Sequence, residues 1–155
     1  TGGVSVGEED HVKPAVETEG ELAMWKIGIK PGKPLAFGKV GAGNTAFIGL
    51  PGNPVAAFVT FLILVRPFLL KRMGAARLLP TSRAMVSASA WTRGDARREF
   101  LRARVTGDGR VELYPNQGSG VLTSCAWADG LIDNPSGGTF QPGDTVRFLP
   151  FPWKG

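Results

Sequence analysis

The segment PVAAFVTFLILV, residues 54–65, constrains the fold most, because it is almost wholly apolar and has clear helix boundaries. Asn53 suits the N-cap and Pro54 suits the first helical position. Pro67 predicts a kink or the end of the first helical segment, and Gly74 predicts the C′ residue. The run is too short to span a bilayer and is apolar on nearly every side, so it predicts a buried helix.

The residues before this helix predict an α/β arrangement. Alternation in MWKIGIK, residues 24–30, predicts one strand with Lys26 and Lys30 on one face and Ile27 and Ile29 on the other. PGKP then predicts a turn, and the short apolar run TAFIGL predicts a buried parallel strand.

The residues after about Leu79 predict an all-β half, a small barrel or a sandwich. Two alternating runs flank Gly107-Asp108-Gly109, which predicts a hairpin. Further turns are predicted at Asn134-Pro135 and at Pro142-Gly143-Asp144. We therefore predict two domains, residues 1–78 and 79–155.

The net charge of +5 favours an anionic partner. No long basic run alternates with aromatic residues, so we expect a small phosphate or oxyanion rather than nucleic acid. Cys125 is the single cysteine and His11 the single histidine, which excludes an internal disulfide and a Cys/His zinc cluster. Cys125 is expected to be a small buried hydrophobe. No signal peptide is visible and no membrane span is expected, which favours the cytoplasm.

Three features could form an anion site, although each has an ordinary structural explanation. Lys26, Lys30 and Lys33 lie close in sequence, and an anion site and a solvated edge strand are about equally favoured. The helix start at residues 51–54 offers free N–H groups, but alone it is better explained as an ordinary loop. The opening loop has Gly2, Gly3, Ser5 and Gly7, followed by acids that could hold Mg²⁺ or favour a helix dipole: Glu8, Glu9 and Asp10. Together they predict one pocket for a polyanion with a metal.

Three ordered motifs closely resemble the molybdopterin molybdenumtransferases, a family that includes the E domain of gephyrin. They are TGGVSVGEEDHVK at residues 1–13, WKIGIKPGKPLAFGK at 25–39 and GLPGNPVAAFVTF at 49–61. QGSG at residues 117–120 also resembles the family's C-terminal domain. The resemblance implies the C-terminal part of a molybdopterin-binding α/β domain, lacking its N-terminal strands, followed by a small all-β barrel domain. It implies a fragment that is inactive alone, from a protein that forms a homodimer.

The implied activity is insertion of molybdenum from molybdate into adenylylated molybdopterin, with Mg²⁺ required and AMP released. The resemblance implies catalytic roles for Asp10, Lys26 and Lys30, with Asp10 also the Mg²⁺ ligand. It implies substrate contacts from these residues: Gly2, Gly3, Ser5, Gly7, Lys33, Pro51, Gly52, Asn53, Pro54 and Ser119. Ala56 departs from the family, which often has serine there, so a hydroxyl contact to the oxyanion is not expected.

Three other functions remain open at this stage. The adenylyltransferase that precedes the insertase has a related α/β domain, but that domain usually stands alone. A gephyrin-like scaffold would bind peptides, for which the sequence shows no obvious feature. A general nucleotide-binding α/β domain would leave the three ordered motifs unexplained.

Overall fold

The computed structural model describes residues 12–25, 27–32, 35–43 and 45–154. The first half contains α1 (Val12–Glu19), β1 (Gly20–Trp25), β2 (Ile29–Lys30), β3 (Leu35–Val40), β4 (Thr45–Gly49), α2 (Pro54–Thr60) and α3 (Arg66–Arg72). The second half contains β5 (Arg83–Val86), β6 (Arg98–Val105), β7 (Val111–Leu113), α4 (Thr123–Trp127), β8 (Gly130–Asn134) and β9 (Thr145–Pro150).

The first sheet is an antiparallel meander in the order β1-β3-β4. The prediction of a parallel strand at TAFIGL is therefore wrong, since β4 pairs antiparallel with β3. Only residues 41–44 join these strands, whereas a parallel pair needs a crossover of a dozen or more residues. The apolar run indicates burial, and the short connection fixes the direction.

The prediction of one strand over residues 24–30 is also wrong. β1 ends at Trp25 in the first sheet, and the backbone bends at Gly28. Ile29 and Lys30 then form β2, which pairs in parallel with Arg98 and Glu99 of β6 in the second sheet. The chain returns to the first sheet at Leu35, which pairs with Trp25. The β2 strand therefore places Lys30 in the second sheet, which belongs to the other half of the chain.

The apolar segment forms one continuous helix over residues 54–72, with the predicted start at Asn53 and Pro54. Phe61–Val65 is a π-helical stretch just before Arg66-Pro67. A proline removes one helical hydrogen bond and crowds the preceding turn, so a locally wider helix is a reasonable response. Gly74 has φ 76°, and Ala75 N–H donates to Leu70 O at 2.9 Å, which closes the predicted glycine cap.

Burial of this helix is one-sided, which corrects the prediction of a helix buried all round. Val55, Val59, Leu62 and Val65 face the core, while Phe61 is 38% exposed. By length and composition alone the helix could cross a membrane, with mean hydropathy 1.8 over a window that is 33% buried. The core helices of soluble proteins meet the same criterion, so this is weak evidence for a span.

The second sheet has the strand order β2-β6-β8-β9-β5, with β7 also paired to β6. The predicted hairpin is confirmed, since β6 and β7 pair antiparallel around Gly109, which has φ 81°. An all-β second half is not quite correct, because α4 forms a short helix there and buries Ser124 and Cys125. The second half is otherwise rich in strands.

Two apolar clusters lie on opposite faces of β6, β8 and β9. One contains Leu101, Ile132 and Phe148 and lies within the second half. The other contains Phe100, Leu131 and Leu149 and packs against Val55 and Val59 of α2. Cys125 belongs to this second cluster, as predicted for a buried thiol, and burial raises its pKa. The shared cluster crosses the predicted boundary at residues 78/79, and that boundary remains a prediction.

Candidate functional site

Several predicted site residues lie outside the described part of the chain: Gly2, Gly3, Ser5, Gly7, Asp10, Lys26 and Lys33. The roles assigned to them remain predictions. The described ones are Lys30, Ser119 and the four residues of the helix start, Pro51, Gly52, Asn53 and Pro54.

The structure brings the helix start against the QGSG segment. Val55 N–H donates to Ser119 O at 3.3 Å, and Ala57 N–H donates to Asn53 O at 2.8 Å. Asn53 occupies the N-cap with extended φ and ψ, but its side chain makes no capping hydrogen bond. Pro54 has no N–H and that of Val55 is bonded, so this helix start offers an anion fewer free donors than the sequence suggests.

Lys30 is held at the edge of the second sheet. Its Nζ lies 3.2 Å from Asp95 Oδ2 and 3.3 Å from Glu99 Oε1. The turn that follows packs tightly on the helix, since a Cβ built on Gly32, at φ 147°, would lie 3.0 Å from Thr60 Oγ1. The two carboxylates therefore hold the Lys30 ammonium, and the turn after Lys30 packs on the helix of the first half.

A cavity of about 400 Å³ opens beside Lys30. Its lining combines cations, one carboxylate, amides and apolar groups: Lys30, Pro31, Trp91, Glu99, Leu101, Arg102, Pro115, Asn116, Gln117 and Gly118. The volume is within the range of small-ligand sites. We call this the Lys30 cavity.

Arg102 is the lining residue that sequence reasoning missed. It is fully buried, and burial lowers the pKa of its guanidinium. Nε donates to Ser124 Oγ at 3.1 Å and Nη2 donates to Gly118 O at 3.2 Å. Within the described part of the chain, no carboxylate forms an ion pair with it. A buried cation held only by neutral groups is costly, and an oxyanion would relieve that cost.

Gln117 fixes the loop that borders the cavity. Its Oε1 accepts from Arg102 N–H, and its Nε2 donates to Arg102 O and Tyr114 O, each at 2.9 Å. The next residue, Gly118, accepts from the Arg102 side chain, as described above. Ser119 follows as an exposed residue and contacts the helix start through its carbonyl. The QGSG motif therefore joins Arg102 to the predicted helix-start site.

Glu99 holds several parts of the site together and was also missed. Its side chain is fully buried, and Oε2 accepts from Trp91 Nε1 at 2.8 Å and Asn134 Nδ2 at 3.2 Å. Oε1 accepts no hydrogen bond of good geometry from the described residues, and its polar contact is the ion pair with Lys30. Loss of Lys30 would leave a buried charge without its counterion.

Asp95 is the more exposed of the two carboxylates beside Lys30. It accepts from Arg97 Nε at 2.9 Å and Arg97 Nη2 at 3.1 Å. These bonds, with that from Arg97 N–H and a smaller contribution from Lys30, hold its pKa well below the usual range. Asp95 therefore stays ionised at neutral pH.

A Mg²⁺ site does not emerge from the described residues. They contain no group of three or more His, Cys, Asp or Glu side chains able to hold a metal. Asp95 and Glu99, the carboxylates nearest the cavity, are already engaged by Lys30, Arg97 and Trp91. The predicted ligand Asp10 lies outside the described residues.

The described geometry suits an oxyanion more than a cation or an apolar ligand. Lys30 and Arg102 line the same cavity, and Asn116 and Gln117 add amide groups. A sequence clue to Arg102 existed, because Arg102 shares the β6 face of Phe100, which belongs to the core. A charged residue next to a core position on the same strand face needs a compensating partner if it is buried.

Comparisons with known proteins find a family match for each half of the chain. Residues 1–71 match the family described as "Probable molybdopterin binding domain". Residues 84–151 match "MoeA C-terminal region (domain IV)". Together the two matches leave little of the chain unassigned. The chain belongs to the molybdopterin molybdenumtransferase (MoeA) family.

Relatives in this family cover nearly the whole chain. It is 39% identical to the molybdopterin molybdenumtransferase of Haemophilus influenzae over 97% of its own length and 38% of that protein. It is 33% identical to molybdopterin molybdenumtransferase 2 of Mycobacterium tuberculosis, over 87% of this chain and 35% of the relative. The chain thus spans less than two-fifths of these relatives.

A solved structure, the molybdopterin biosynthesis MoeA protein of Pyrococcus horikoshii, has the same fold over most of the chain. The TM-score is 0.72 at 28% identity, covering 89% of this chain and 34% of that one. A family member thus has both the α/β region and the strand-rich region found here.

Proposed function

We propose that this chain takes part in molybdenum insertion, in which molybdate and adenylylated molybdopterin yield the molybdenum cofactor and AMP. The observation that supports this most is that Lys30 and the buried Arg102 line one cavity beside the QGSG loop. Membership of the family supports the reaction that we propose, and the Lys30 cavity is the site where we expect the oxyanion to bind.

The Lys30 cavity would hold molybdate, which is a dianion. The guanidinium of Arg102 is rigid and planar, and its bonds to Ser124 and Gly118 fix its orientation in the buried wall of this cavity. Fixed N–H donors act strongly where water is excluded, because they need no reorganisation when charge develops. Lys30 would contribute a second cation, shared between the oxyanion and its carboxylate partners.

Molybdate-dependent AMP release by the full-length protein containing this chain tests the proposal. Arg102→Lys keeps the positive charge but removes the planar set of guanidinium N–H donors. We therefore expect a loss of about 10²-fold in turnover, the cost typical of one oxyanion donor. Lys30→Gln should raise the apparent KM for molybdate. Arg104→Lys is the matched control, because Arg104 lies two residues along β6, exposed and paired with Glu112.

Three results would contradict the proposal. One is equal activity in the Arg102 and Arg104 variants, both folded by circular dichroism. Another is full activity of Lys30→Gln, which provides a second reading if Arg102→Lys perturbs folding. The third is consumption of ATP without AMP release on adding molybdate, which would favour the adenylyltransferase.

The remaining expectations are also proposals, supported by the family resemblance. They are Mg²⁺ bound by Asp10, phosphate and molybdate contacts from Lys26 and Lys33, a homodimer in the full-length protein, and a cytoplasmic location. Closure of the second half into a small barrel is supported by one backbone bridge, between Ser87 after β5 and Val111 of β7. With β7 paired to β6, that bridge would complete a ring of strands.

A further inference from the structure

Most arginines of the second half have a carboxylate partner. Salt bridges join these pairs: Arg97 and Asp95, Arg98 and Asp133, Arg147 and Asp133, Arg104 and Glu112, Arg110 and Asp108. These pairs compensate the guanidinium charge locally. Arginines that gather in one place without an acid keep an uncompensated charge.

Arg66, Arg77 and Arg83 form such a group. In the described part of the chain none of them has a salt bridge, yet all line one cavity of about 440 Å³. The other lining residues are Leu79, Pro80, Thr81, Pro150, Phe151 and Pro152, so no acid contributes to its walls. We call this the arginine groove.

These three arginines come from separate parts of the fold. Arg66 begins α3 within the continuous helix, and Arg83 begins β5, where it pairs with Phe148 of β9. Arg77 lies in the connection between them. Pro80 and the buried Phe151 give the groove rigid, apolar walls. Tertiary structure therefore brings the three cations to the walls of one cavity.

Like charges gathered in a concave site repel one another, and an anion is the natural counterpart. Guanidinium groups match phosphate geometry with paired hydrogen bonds, and three of them exceed what one monoanion needs. The volume suits a small molecule. The groove shares no lining residue with the Lys30 cavity, so it is a separate site.

We propose that the arginine groove binds a small anion bearing two or more phosphate groups. The ligand's phosphates contact the guanidinium groups of Arg66, Arg77 and Arg83, and its remaining atoms lie against Leu79 and the prolines. This site is independent of molybdenum insertion and of the residues assigned to it.

Calorimetric titration of the full chain with inorganic tripolyphosphate, at about 150 mM salt to screen weak surface attraction, tests the groove. The double variant Arg77→Gln and Arg83→Gln should weaken binding about tenfold or more. The matched control is Lys39→Gln with Lys71→Gln, which removes the same charge from exposed positions outside the groove. It should change the affinity by about twofold or less. Orthophosphate should bind the wild-type chain more weakly than tripolyphosphate.

Arg77 and Arg83 are exposed, so the variants should melt at the wild-type temperature. The single variant Arg77→Gln is a second test of binding, because Arg77 lies outside the helices and strands and its substitution disturbs neither. Equal weakening by both double variants would overturn the proposal, because it would show only an effect of net charge. So would binding that is lost in Lys30→Gln and kept in the arginine variants. Absence of binding to the wild-type chain would also overturn it.

Discussion

At the scale of single residues, the Lys30 ammonium is shared by two carboxylates with different surroundings. Glu99 is fully buried and held by Trp91 and Asn134, whereas Asp95 is 22% exposed and held by Arg97. The buried carboxylate fixes one side of the Lys30 ammonium, and the partly exposed carboxylate contacts it from the side nearer to solvent. Lys30 is therefore well placed but already partly neutralised.

Asp95 provides a pH prediction. Its pKa is lowered in the folded chain, chiefly by Arg97, so its contribution to stability is present above the unfolded value of about 4. The contribution is lost as pH falls through the lower, folded value. Carboxyl NMR titration should place Asp95 below about 4, and Arg97→Gln should raise its pKa.

Arg110→Gln is the control for this titration, because Arg110 pairs with Asp108. It should leave the Asp95 titration unchanged. An Asp95 that titrates near 4 both with and without Arg97 would show that the ion pair does not persist in solution.

Sequence identifies Lys30 but not Arg102, for a physical reason. Lys30 lies in a motif whose spacing and turn chemistry are local. Arg102 lies in FLRARV, where an arginine at alternate positions favours a solvated strand face. Its burial depends on Gln117 and Gly118, which fold over it from another part of the chain. Alternation in sequence does not show which residues a distant loop will cover.

At the scale of elements, the ends of the long helix were predictable and its burial was not. Asn53, Pro54 and Gly74 act through their own backbone preferences, so local sequence determines the boundaries. Which face is buried depends on the position of the second sheet, and Phe61 is left partly exposed. The pairing of β2 was likewise not predictable from local sequence, because its partner strand comes about seventy residues later.

Gly74→Ala tests the helix cap. The residue has φ 76°, and a Cβ there would meet nothing within 4 Å, so the cost comes from the backbone alone. We expect a loss of about 1 kcal/mol in the free energy of unfolding, measured with denaturant. Gly107→Ala is the matched control, since its site is equally open and its φ is not positive. Equal effects of the two substitutions would contradict the left-handed cap.

Across the whole chain, the two halves share an apolar cluster and the Lys30 cavity. α2 packs on Phe100, Leu131 and Leu149, and β2 brings Lys30 to the strand that bears Arg102. Sequence motifs indicated the family and an oxyanion partner. The placement of Lys30 and Arg102 around one cavity depends on long-range pairing, which no local pattern encodes.

We propose that Lys30 and Arg102 jointly bind the oxyanion. Crystals of the full-length protein soaked with molybdate, with anomalous scattering recorded at the molybdenum edge, test it most directly. We expect a molybdenum peak in the Lys30 cavity, with molybdate oxygens within hydrogen-bond distance of Lys30 Nζ and the Arg102 guanidinium. A molybdenum peak elsewhere, with the Lys30 cavity occupied only by water, would contradict it.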